Sequence, residues 1–149
     1  SWSFKFKLKE IINTIINSSS KKIVAPLHSY VKSKIESLGL KSDRLLIIQP
    51  QSYLSFIYAA KNASAIVTDS GNIAEEATFM NIPCITLDNY TEHSETVTSG
   101  TNLLIGEDYS RIKESMEKIE KGEWKSCTLP ERWDGRTAER IVQTLLEEI

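Results

Sequence analysis

Apolar positions follow two rhythms along this chain. Between residues 5 and 18, Phe6, Ile11, Ile12, Ile15 and Ile16 recur at helical spacing, and the polar run Asn17 to Ser20 closes the stripe. Short, nearly unbroken apolar runs follow: "KKIVAPLH", "DRLLIIQP", "SAIVTD", "PCITL" and "NLLIG". Helical patterns alternate with them, over 30–38, 53–61, 72–80, 109–120 and 134–148, and Gly39 stands just past the end of the first of these. In the last, Ala138, Ile141, Val142, Leu145, Leu146 and Ile149 make one apolar face, opposite Arg136, Glu139, Arg140 and Glu147.

The strand candidates do not alternate polar with apolar residues. Burial on both faces, under covering helices, is the physical meaning, and it predicts an α/β domain built on a parallel sheet. Right-handed crossovers place the carboxyl-end loops on one edge, where such sheets bind ligands. His28, Gln51 to Tyr53, Asp69 to Asn72, Asp88 to Glu95 and Gly106 to Asp108 belong to that edge.

Composition narrows the field. With 149 residues and 40% hydrophobic content the chain can fill one core, so residues 1–149 read as a single domain. The balance of 18 Lys+Arg against 20 Asp+Glu supplies no field for a nucleic acid or an anionic membrane. No run approaches the roughly 20 apolar residues of a membrane span, and "SWSFKFKLKEI" lacks a signal-peptide pattern. Cys84 and Cys127 form neither a CxxC pair nor a disulfide framework; Cys84 reads as a small buried hydrophobe and the compartment as reducing and cytoplasmic. The start at Ser1 reads as part of something longer.

Candidate chemistry centres on "TDSGNIAEE". Gly71 removes a β-carbon where a strand gives way to a helix, and Ser70 can cap that helix. Unpaired N–H groups of the first turn, with the helix dipole, favour an anion such as phosphate, although an S-G turn before a helix is also an ordinary cap. Helical spacing sets Glu75 beside Gly71 and Glu76 beside Asn72. A carboxylate there can accept from a sugar diol, or can simply suit the dipole. His93, in the loop "DNYTEHSE", can donate to an anion or lie on the surface, and His28 is equally two-sided. Tyr53 and Phe56 open a helix on the ligand edge, where an aromatic can stack on a base or join the core. No HExxH, P-loop, GxGxxG or G-x-S-x-G occurs, so neither metal nor cofactor is expected and Ser70 has no triad partners.

"YLSF", "IVTDSGNIAEEATFMNIPCITL", "YTEHSETVTSGTNLLIG" and "WDGRTAERIVQTLLEEI" together resemble the C-terminal half of the non-hydrolysing UDP-N-acetylglucosamine 2-epimerases, with "PLH" at Pro26 to His28 matching as well. The family pattern runs TDSGG-x-x-EEA, TERPE, a glycine-bounded strand, then GDG-x-A-x-x-R-I. The resemblance covers nearly the whole chain and implies the second Rossmann-like domain of a GT-B fold, a fragment of a two-domain enzyme. It implies that Phe56 packs on uracil, that Ser70, Gly71 and Asn72 lie at the diphosphate, that Glu76 takes the ribose hydroxyls and that His93, in the arginine position of TERPE, helps to bind phosphate. The family reaction eliminates UDP and re-adds it with C2 inverted, using carboxylates of the N-terminal domain, so no catalytic residue is expected in this chain. A UDP-sugar substrate and that N-terminal domain are the implied partners, and because full-length members generally form dimers, so is a homodimer.

Departures from the pattern also carry weight: Asn72 for the second glycine, His93 for arginine, Ser94 for proline, Asp88 where arginine is common, and "SWSF" alone against an HRRESF loop. They motivate an alternative function, a non-catalytic nucleotide-sugar sensor or assembly module that retains the epimerase fold. A glycosyltransferase of the same fold would need an acceptor site, and TDSG followed by TEHSE argues for the epimerase branch instead.

Overall fold

The computed structural model describes residues 2–125, with side chains from Lys7 onward. The expected helix over 134–148, Cys127 and Trp133 lie outside the described residues. Helix α1 spans Trp2–Ser18, then β1 Ile23–Pro26, α2 Ser29–Ser37, β2 Leu45–Ile48, α3 Tyr53–Ala60, β3 Ile66–Thr68, α4 Gly71–Phe79, β4 Cys84–Thr86, α5 Glu95–Thr98, β5 Asn102–Leu104 and α6 Ser110–Glu120. This is the alternation that the apolar runs predict, and every strand pairing is parallel. Gly39 ends α2 with a φ of 72°, a conformation that a β-carbon would strain.

Among the described residues the strands ladder in two sets, β1 with β2, and β3 with β4 and β5. The first set corrects one expectation. Val24 and Leu46 are register partners, yet they are 54% and 58% exposed, so among the described residues this pair is covered on one face only. That covered face packs on α1 and α2 through Ile12, Val31, Ile35, Leu40 and Ile47. A run such as LLII has the same letters whether one face or two are covered, which is why periodicity alone misjudges it.

The second set is sandwiched. Ile85, with Val67 and Leu103 beside it, packs against Ile112 and Met116 of α6 and Ile11 and Ile15 of α1. On the other side, Ile66 and Cys84 meet Ala74 and Ala77 of α4, with Phe56 at the margin. Small residues on α4 let that helix lie close to the strands.

Helix α1 runs from the carboxyl edge to the amino edge. Near its start Lys7 pairs with Glu107 at 2.5 Å, in the loop after β5, and just past its end the Ser20 N–H donates to Glu120 at 3.3 Å. Its last turn is closed by Arg44, whose guanidinium donates to the carbonyls of Ile16 at 2.7 Å and of Ser19.

Candidate functional site at the carboxyl edge

The turn between β3 and α4 forms as its letters predict. Ser70 takes an extended conformation as N-cap, and its hydroxyl accepts the Ile73 N–H at 3.4 Å. The Ala74 N–H goes to the Ser70 carbonyl. Among the described residues the N–H groups of Gly71 and Asn72 have no partner, which leaves the positive end of the helix addressed to whatever sits at this edge. Asn72 is exposed, while Ser70 and Gly71 are half-buried.

The loop after β4 closes over that turn. A β-carbon built on Gly71 would lie 3.5 Å from Cδ2 of His93 and 4.0 Å from Oγ1 of Thr91. A β-carbon at 71 would thus touch the imidazole at ordinary van der Waals distance, which puts the His93 ring directly beside the first residue of α4. Nε2 of His93 stands 3.7 Å from Oε2 of Glu75. Burial pushes the Glu75 carboxyl above its ordinary value, the charge of His93 pulls it down, and the charges of Glu76 and Glu95 push it up again. The His93 imidazole thus has a carboxylate beside it as well as a helix N-terminus.

Three threonines and an asparagine hold this loop. The His93 N–H donates to Thr91 at 3.1 Å, and the His93 carbonyl accepts the Thr96 hydroxyl at 2.7 Å. Asn102 then donates to Thr96 at 3.1 Å and accepts from Thr86 at 2.5 Å. Thr86, Thr96 and Asn102 are all buried, so the loop is tied through β5 into β4 by a satisfied network. Periodicity hides this network, because Thr86 and Asn102 sit inside segments that read as strands and only the β4–β5 register, in which Cys84 faces Asn102 and Thr86 faces Leu104, brings them within reach. Asp88 shapes the loop's start: its carboxylate accepts the N–H groups of Asn89 at 2.7 Å and Tyr90 at 3.3 Å.

Glu76 lies one turn deeper on α4, half-buried, and receives a hydrogen bond from the Tyr53 hydroxyl at the start of α3. Phe56 is half-buried on the same helix. Ser70, Gly71, Asn72, Glu76, His93 and Phe56 therefore come from α3, from the N-cap and first two turns of α4, and from the β4–α5 loop. His28 is exposed and stacked on Tyr30 with ring centres 6.1 Å apart, at the start of α2 rather than beside α4. A cavity of about 510 Å³ lies elsewhere, at the amino edge among Ser20, Ser64, Pro83, Glu120 and Trp124, whereas the α4 N-terminus and its carboxylates are at the carboxyl edge. Among the described residues no His, Cys, Asp and Glu cluster suits a metal ion, and no helix is long and apolar enough to cross a membrane.

Parallel strands between helices, with a serine-capped helix opening on the carboxyl edge, define a Rossmann-like α/β domain of the kind that makes up half of a GT-B fold. The sequence profile of the family described as UDP-N-acetylglucosamine 2-epimerase matches residues 4–146. The chain belongs to that family. It is 34% identical over 151 aligned positions to the UDP-N-acetylglucosamine 2-epimerase of Methanocaldococcus jannaschii, covering 95% of this chain and 40% of that protein. To a UDP-N-acetylglucosamine 2-epimerase homolog of Methanococcus maripaludis it is 37% identical, with 95% and 40% covered. Among solved structures, the UDP-GlcNAc 2-epimerase of Neisseria meningitidis bound to UDP-GlcNAc superposes with a TM-score of 0.74 at 28% identity, covering 95% of this chain and 41% of that one. The M. jannaschii enzyme in complex with UDP-GlcNAc and UDP gives 0.68 at 34% identity, over 95% and 41%. The chain spans about 40% of the length of the relatives it matches.

Proposed function

We propose that residues 1–149 are a single UDP-binding domain, the half of a UDP-N-acetylglucosamine 2-epimerase that holds the nucleotide while the sugar is processed against an N-terminal domain. The observation that carries the reading is the conjunction at α4: N–H groups of Gly71 and Asn72 that have no partner among the described residues, His93 beside the glycine, and Glu76 one turn deeper. The diphosphate is assigned to the turn, with Ser70, Gly71 and Asn72 around it and His93 as a further donor, the ribose hydroxyls to Glu76, and uracil to Phe56.

The chemistry divides accordingly. UDP departs carrying concentrated negative charge, and oriented N–H donors stabilise that charge as it develops without having to reorganise. The proton on C2 needs a placed base, which the proposal puts in the other domain, so this chain alone binds and does not epimerise. A UDP-sugar substrate, a homodimer and a cytoplasmic setting belong to the same proposal.

Calorimetric titration of the chain with UDP tests the reading. Saturable binding is expected, and Glu76→Gln should weaken it by about 1–3 kcal/mol; no heat at millimolar UDP would end the nucleotide assignment. The contact between His93 and Glu75 favours a second reading, a module that keeps the fold and has given up tight phosphate binding, since arginine's fixed charge is replaced by an imidazole already facing a carboxylate. His93→Arg separates the two: a gain in UDP affinity supports the nucleotide site, and no change supports the module.

A further inference from the structure

Of the two adjacent glutamates, the deeper one is gripped from outside its own helix. Tyr53 stands at the first position of α3, where Ser52 caps the helix by accepting the Ser55 N–H. Its phenol crosses to α4 and donates to Oε1 of Glu76. The two residues are 23 apart in sequence, so the bond ties two helices at the ligand edge. Burial, then the hydrogen bond and charge of Glu76, and last the charge of Glu75, push the phenol well above its ordinary pKa. At neutral pH it is a standing donor. A glutamate side chain otherwise samples several rotamers, and ordering it on ligand binding has an entropic cost. With one hydrogen bond taken, the carboxylate still has lone pairs for two more donors.

Resting on the nucleotide reading above, we infer that Tyr53 is a positioning residue: its hydroxyl, bonded to Oε1, holds the Glu76 carboxylate in one orientation toward the ribose hydroxyls, and so makes the site select ribonucleoside over deoxyribonucleoside diphosphates. The selectivity then depends on a group that acts through Glu76.

Titration of the unaltered chain and of Tyr53→Phe with UDP and with 2′-deoxy-UDP tests this. Phenylalanine keeps the ring and its packing and removes only the donor. The unaltered chain is expected to prefer UDP about tenfold, one charge-assisted hydrogen bond's worth, and Tyr53→Phe about threefold or less, with 2′-deoxy-UDP affinity retained. A variant that keeps the full ratio, or weakens both nucleotides equally, overturns the positioning role and leaves the nucleotide site standing. An unaltered chain that binds neither nucleotide, or both equally, overturns the ribose assignment and this inference with it. A second measurement needs no variant. With UDP bound, the ¹³Cζ resonance of Tyr53 should stay at its protonated position past pH of about 10, where free tyrosine titrates; titration at that ordinary value would show that the ligand breaks the bond, and would overturn the proposal.

Discussion

The two strand sets of this domain bury different chemistry. Between β1, β2, α1 and α2 the interior is aliphatic, made of Ile12, Val31, Ile35 and Leu40 with Leu45 and Ile47 beside them. Around β4, β5, α4 and α5, the apolar Cys84 and Ile85 are interleaved with buried Thr78, Thr86, Thr96, Thr101 and Asn102. Apolar burial has no preferred direction, so it binds layers together while tolerating small shifts. Hydrogen bonds prescribe angles. The set with the polar interior is the one that carries the loop facing α4, and the difference teaches that a loop whose orientation matters is fastened through its own carbonyl into a directional core.

The strongest way to break the comparison is at Gly100. A β-carbon there would lie 2.4 Å from Oγ1 of Thr78 and 2.5 Å from the carbonyl oxygen of Thr96, and a backbone oxygen cannot swing aside. Gly100→Ala is expected to cost roughly 3 kcal/mol or more in a urea melt, as overpacking does, and a near-neutral variant would show that the polar interior is loosely packed. Next comes Asn102→Ala, which strands the buried hydroxyl of Thr86 and frees that of Thr96. A loss of about 2 kcal/mol is expected, with faster amide exchange over 91–98; lost stability without faster exchange there would uncouple the network from the loop.

A smaller effect is expected from pH. Glu75 is raised from 4.5 in the folded chain, so the folded state keeps this proton longer than the unfolded state does. Its contribution to stability is therefore fully present below 4.5 and is lost as pH rises through the folded value. Glu75→Gln should flatten that decline in denaturant midpoints collected from acid to neutral pH, and equal slopes in the two chains would remove Glu75 from the site's electrostatics. The smallest effect belongs to the aliphatic set: Leu46→Thr, on the open face, should stay within about 0.5 kcal/mol of the parent. A large loss would mean that this face is covered after all.

Much of the architecture is legible in the letters, because greasy runs separated by helical stripes leave few arrangements besides a parallel α/β domain. The Ser70 cap and Gly71 turn are equally local, and both form as read. What escapes the letters is pairwise. Tyr53 and Glu76 meet across 23 positions, Thr86 and Asn102 across 16, and no periodicity announces either pair. Glu75 has local helix-dipole logic in the sequence, whereas its contact with His93 depends on how the loop after β4 folds back. Exposure of Val24 and Leu46 is hidden for a related reason: a residue's partners across a layer are set by the three-dimensional course of the chain.

The direction of α1 has a mechanical consequence. Because Lys7 is at the rim beside Glu107 and Ser20 at the far side beside Glu120, any polypeptide joined ahead of Trp2 would be coupled at the rim that carries Ser70 and His93. A joint so placed would have its pivot at the carboxyl rim, and an attached body would swing about that rim rather than about the opposite edge of the strands.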